Sequence, residues 1–277
     1  MSTLTKRYIL NDFAGKINNF LSNPKIAKII HEHERKFLEM NKSIKPNSRS
    51  MTIEILPTTL ARISSLAHPI ILLSAYFVQF PHIVVDPIQG LLNFLLPLTI
   101  IQIAYVVICL PIVGFSTPPA TPSKSRAKIL AKSKKSMKSP SRVLTVFIAL
   151  ILSGMAVPVL TIVHILLGAP FTSHLLQTIL SSTHLSLLSL FPLIYVHGTD
   201  SEKWKQILSV YCPLDEVFGA TIGAFIGGWL GAIPIPLDWD REWQKWPITI
   251  VTGMYLGYNL GKIAGGKIFK GKKIELN

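Results

Sequence analysis

Two apolar runs in this 277-residue chain carry glycine at every fourth position, a pattern that restricts the fold severely. The first arm holds Gly219, Gly223, Gly227 and Gly231; the second holds Gly253, Gly257, Gly261 and Gly265. At 3.6 residues per turn, this spacing keeps the glycines on one slowly drifting helix face. In a soluble helix each would cost about 1 kcal/mol relative to alanine, so eight of them need a reason. A bilayer supplies one. Lipid tails are as apolar as leucine, so helix association there depends on close packing, and small residues let backbones approach. The expectation is a glycine zipper: two membrane helices in an antiparallel pair, packed glycine face to glycine face or against a partner helix.

Composition agrees with a membrane setting. Apolar residues make up 49% of the chain and charged ones 15%, and the mean hydropathy is +0.44. These values exclude a disordered chain. The formal charge of +14 would suggest nucleic acid on a soluble surface, but here the basic residues lie between apolar runs and report topology. Runs of spanning length fall at about 64–85, 89–113, 143–168, 175–197, 214–235 and 247–264. Pro69, Pro81, Pro97, Pro158 and Pro192 lie inside them, which bundles tolerate when neighbours satisfy the freed carbonyls.

The predicted fold is therefore an all-α, six-helix transmembrane bundle. Counting Lys and Arg on alternate sides of the six runs places 26 on one side and 2 on the other. The positive-inside rule then puts both termini in the cytosol, and an odd number of spans would spoil the separation. The chain divides into a cytosolic arm (1–63), helices 1–2 (64–113), a basic linker (114–142), helices 3–6 with the glycine hairpin (143–266) and a basic tail (267–277). The arm is read as flexible with transient helix, although Lys25, Lys28, Arg35 and Lys36 would suit an interfacial helix on anionic headgroups. The linker, with Pro118, Pro119 and Pro122 among its prolines, eight basic residues and no acid, is read as disordered and cytosolic. No signal peptide is recognised, so the first membrane helix is expected to target the chain.

Candidate chemistry is sparse. The turn between the glycine arms runs from Pro234 to Pro247 and contains Pro236, Asp238, Trp239, Asp240, Arg241, Trp243 and Trp246. Three tryptophans at a membrane boundary make an aromatic belt, and Asp238 and Asp240 with Arg241 form a local charge cluster. Metal binding or acid–base work by the two aspartates is the competing reading, and two carboxylates alone support it weakly. His82, His164 and His174 fall near the lumenal ends of runs, while His68, His184 and His197 lie within runs or at their cytosolic ends. None has ligand spacing, so interhelical hydrogen bonding is their expected fate. No phosphate-binding loop or nucleophile elbow is present, and no cofactor, metal ligand or catalytic residue is assigned. Nucleic acid is not an expected partner.

The run from Asp215 through Gly266 resembles the signature of the PIG-F family of glycosylphosphatidylinositol (GPI) anchor biosynthesis. The residues that carry the resemblance are Gly219-Ala220, Gly223-Ala224, Gly227, Gly231-Ala232, Pro234 through Asp240, Trp243-Gln244, Trp246-Pro247-Ile248 and the spaced glycines from Gly253. The likeness is specific over roughly 50 residues; over 64–113 and 143–197 only hydropathy and span count agree. It implies a multi-pass endoplasmic-reticulum membrane protein that is itself noncatalytic. Such a protein would stabilise a GPI ethanolamine-phosphate transferase through helix packing and the lumenal turn, in contact with membrane lipids. The alternatives are a membrane lipid-handling enzyme using Asp238, Asp240 and lumenal histidines, or a phospholipid transporter or scramblase feeding the transferase.

Overall fold

A computed structural model of the chain describes residues 32, 52–112, 141–237 and 239–272. The expectations for the arm before residue 52, for 113–140 of the linker and for Asp238 lie outside the described residues. Among the described residues the regular structure is helical, with no strand.

Helix α1 (Thr59–Val85) starts at Thr58, whose hydroxyl accepts the Ala61 N–H at 3.2 Å. This satisfies one of the orphan donors of the first turn. It ends at Asp86, which at once caps α2 (Pro87–Cys109) by accepting from the Ile88 and Gln89 amides at 3.0 and 3.2 Å. Pro87 at the first helical position lacks an N–H that would be unbonded anyway. The hairpin closes tightly: a Cβ on Gly90 would lie 2.6 Å from the Ile83 Cα. Helix α3 (Arg142–Leu166) is capped by Ser141. Next come α4 (Leu175–Leu185), a π-helical turn (Ser186–Leu190) and α5 (Phe191–His197), which together form one 23-residue helix. A short amphipathic helix, α6 (Ser201–Leu208), occupies what reads in sequence as a plain loop, held by the Asp200 cap. The glycine arms form α7 (Glu216–Leu230) and α8 (Ile248–Ile263), the latter extended by a π-helical turn, Ala264–Ile268.

Four of these helices are long and apolar enough to cross a membrane: α1, α2, α3 and the joined α4–α5. Helix α7, with 15 residues, rises only about 22 Å, less than the ~30 Å hydrocarbon core. Its apolar run continues in sequence, but Ala232 to Pro236 turn instead of extending the helix. The joined α4–α5 helix is 78% buried over its apolar window, against 28–33% for the other three. It is the central helix of the bundle. The outer helices turn apolar side chains outward, among them Ile70, Val78, Leu96, Phe147, Ile151 and Val159. A soluble surface rarely shows so much contiguous apolar area.

Candidate functional site

The two glycine arms pack on each other. A Cβ built on Gly223 would fall on the Gly257 carbonyl oxygen and lie 2.8 Å from the Gly261 Cα; one on Gly257 would fall on the Gly223 carbonyl and lie 2.8 Å from the Gly227 Cα. Gly227 and Gly253 stand in the same mutual relation, as do Gly219 and Gly261. At the ends, Gly265 meets the Asp215 carbonyl and Gly231 the Thr249 carbonyl. The obstructing atoms are backbone, so no side-chain rotation could make room. Each glycine of one arm thus seats a carbonyl of the other, the arrangement small residues permit in a bilayer.

Both ends of this pair are tied down. At one end Asp215 caps α7: its Oδ1 accepts from the Val217 and Phe218 amides at 3.0 and 2.8 Å, and its Oδ2 accepts from the Ile53 amide at 3.0 Å. At the other end Gln244 organises the turn. Its amide donates to the Pro234 and Leu237 carbonyls at 2.8 and 2.7 Å, while its Oε1 accepts from the Arg241 amide at 3.0 Å. Trp246 donates its indole N–H to the Thr178 hydroxyl, 3.1 Å away on α4. Trp239 and Trp243 place their rings 5.8 Å apart, and Leu237, Trp239, Asp240 and Arg241 are exposed. Among the described residues of this turn, Lys245 pairs with Glu242.

A buried charged group, unforeseen from the sequence, joins four helices at the opposite end from the turn. Glu216 Oε1 accepts from Lys262 Nζ at 3.0 Å, from the Ser65 hydroxyl at 2.5 Å and from the Tyr105 hydroxyl at 3.1 Å. Lys262 also donates to His68 Nδ1 at 3.1 Å and to the Ser65 carbonyl at 3.3 Å, and its ammonium lies 3.8 Å above the Tyr105 ring. The Lys262 side chain is 2% exposed, so the pair stands in low dielectric. Removing one partner there leaves an uncompensated charge. The signal was available: Glu216 and Lys262 are ionisable residues inside apolar runs, which calls for a partner.

Three of the histidines, His68, His164 and His184, form hydrogen bonds between helices. His184 donates from Nε2 to the Leu91 carbonyl at 3.2 Å and accepts at Nδ1 from the Tyr255 hydroxyl at 2.7 Å. His164 meets Ser182 at 2.8 Å. No cluster of three or more His, Cys, Asp or Glu suited to a metal occurs among the described residues.

The model of the GPI biosynthesis protein family Pig-F matches residues 67–266, which include all four long helices apart from the first turns of α1, and both glycine arms. The chain belongs to this family. It is similar to glycosylphosphatidylinositol anchor biosynthesis protein 11 of Neurospora crassa, 42% identical over 221 residues that cover 80% of each chain. The protein of the same name from Aspergillus fumigatus is 38% identical over 240 residues, covering 76% of this chain and 81% of that one. The human GPI ethanolamine phosphate transferase, stabilizing subunit, is 35% identical over 106 residues, 37% of this chain and 48% of its own. No solved structure matches.

Proposed function

We propose that this chain is a noncatalytic, stabilising subunit of a GPI ethanolamine-phosphate transferase in the endoplasmic-reticulum membrane. The reading is carried by one observation: the glycine arms satisfy each other, so the hairpin is a finished, rigid element that offers its outer faces to something else. Those faces, with Phe225, Ile226, Trp229 and Leu230 on α7 and Leu256 and Leu260 on α8, are apolar and exposed. A partner's membrane helices would pack there by van der Waals fit, and the turn stapled by Gln244 would brace the partner at the membrane surface. The name of the human relative supports a transferase as that partner.

In this proposal both termini face the cytosol and the glycine arms complete six spans. The 26-to-2 division of Lys and Arg supports the orientation. Helix α8 with its π-helical extension covers Ile248–Ile268, long enough to cross. Helix α7 would cross where the bilayer thins to meet it, a modest cost per Å of mismatch.

Affinity purification of the tagged chain from gently solubilised membranes tests the proposal. A large ethanolamine-phosphate transferase should co-elute near one to one. Elution of a folded chain without it would overturn the reading.

A further inference from the structure

The glycine seam leaves its own register poorly determined. A Cβ built on Gly219, Gly223 or Gly227 meets the Cα of Gly265, Gly261 or Gly257, at 2.8 Å in each case, and one on Gly253 lies 3.1 Å from the Gly231 Cα. Four glycine pairs therefore face each other. Sliding α7 by four residues along α8 brings round nearly the same face and still matches three of the four pairs. Close packing of small residues does not by itself reject that slip. Something else selects the register.

Neutral contacts fix α8 more firmly than α7. Tyr255 of α8 bonds to His184 of α4 at 2.7 Å, and Thr252 bonds to Tyr76 of α1 at 2.7 Å. The Thr221 hydroxyl of α7 is divided between its own Val217 carbonyl at 3.0 Å and the Ser189 carbonyl at 3.3 Å. Ahead of α7, Leu214 exchanges backbone bonds with Gly271 and Lys272, both exposed, where water competes for the same groups. Glu216 is different. It is the charged residue of α7, it is buried, and it meets Ser65 of α1, Tyr105 of α2 and Lys262 of α8. A four-residue slip would carry its carboxylate about 6 Å away from all three. Lys262 could not follow, being tied to the Ser65 carbonyl and to His68. Both charges would be left buried and unpaired, the outcome that costs most.

We infer that Glu216 and Lys262 are positioning residues that select one register of the glycine hairpin, as a single buried polar residue does in a coiled coil. The register fixes how Phe225, Ile226 and Trp229 of α7 stand relative to Leu256 and Leu260 of α8 on the exposed face. Its effect on a partner rests on the function proposed above; the register itself does not.

The test reads register by disulfide cross-linking in the purified full chain, without a partner and in a background free of other cysteines. Gly228→Cys is combined with Met254→Cys or with Ile250→Cys, because a Cβ on Gly228 lies 3.1 Å from Met254 Cγ and 3.9 Å from Ile250 Cγ2. Oxidation should join 228 to 254 in preference to 250. With Glu216→Gln and Lys262→Met together, the yield of the 228–254 disulfide should fall by about half, as registers with three and four glycine pairs become comparably populated. The midpoint on heating should meanwhile recover most of what Lys262→Met alone loses. An undiminished 228–254 disulfide in the double variant would overturn the inference. So would a midpoint that stays as low as that of Lys262→Met, because the pair would then serve stability and not register. A shifted register with unchanged recovery of the transferase would leave this inference standing and overturn the proposed partner surface instead.

Discussion

Replacing Gly257 with alanine isolates the force that holds the glycine arms. The new methyl would fall on the Gly223 carbonyl oxygen and 2.8 Å from the Gly227 Cα, where carbon atoms prefer ~3.5–4.0 Å. The helices would have to part by about 1 Å, and a gap of that size forfeits a quarter to a half of each dispersion contact along the seam. Overpacking of this kind costs ~1–3 kcal/mol, while alanine returns at most ~1 kcal/mol of helix propensity. Because the obstructing atoms are backbone and cannot rotate away, the cost lies in the upper part of that range, ~2–3 kcal/mol, and the loss wins by about 1–2 kcal/mol. For a domain of this size that corresponds to a midpoint lowered by ~2–8 °C. Gly154, in α3, is the internal control, because a Cβ there meets nothing within 4 Å. Gly154→Ala should leave the midpoint unchanged or raise it. The assay is thermal stability of the solubilised, fluorescently tagged chain by size exclusion after heating. Shifts of the same sign and size for the two variants would refute the argument from backbone contact.

Three further outcomes follow from the same geometry. Lys262→Met leaves Glu216 buried without its cation and should cost ~3–5 kcal/mol; the double variant with Glu216→Gln should recover much of the loss, and the heating assay reads both. Gln244→Ala removes three hydrogen bonds from the turn and none from the bundle. At ~0.5 kcal/mol for each of these mostly exposed bonds it should lower the midpoint by ~3–6 °C and reduce the transferase recovered on affinity purification, so equal recovery would remove the turn from the partner surface. Single cysteines at Asp240 and Lys272, in a chain otherwise free of cysteine, should react with impermeant maleimide from opposite sides of sealed microsomes. Labelling from the same side would contradict six spans.

The glycine arms could be read from sequence because their constraint is local: a four-residue period and a bilayer suffice to demand a close helix contact. Whether they face each other or a partner was open, and the reciprocal seating of Gly223 and Gly257 resolves it for these two helices. Helix boundaries followed their caps and prolines, as at Asp86–Pro87. The Glu216–Lys262–His68 group was not readable as a group. Its members lie 46 to 194 positions apart, and only packing of α1, α2, α7 and α8 brings them together. The α6 helix was missed because eight residues with Trp204 and Ile207 on one side give too short a period to separate from a loop. The charge cluster expected around Asp238, Asp240 and Arg241 includes Asp238, which lies outside the described residues. In the folded turn Lys245 pairs with Glu242, three residues away on one helical turn.

The most direct test of the central claim is the lifetime of the transferase when this chain is depleted. Transferase abundance in endoplasmic-reticulum membranes would be followed after translation is stopped, with the chain present, absent, or carrying Gly223→Leu. A stabilising subunit predicts rapid loss of the transferase on depletion and a partial loss with Gly223→Leu. A transferase that persists equally in all three cases, while ethanolamine-phosphate transfer fails on depletion, would contradict the account and assign this chain a role in the reaction itself.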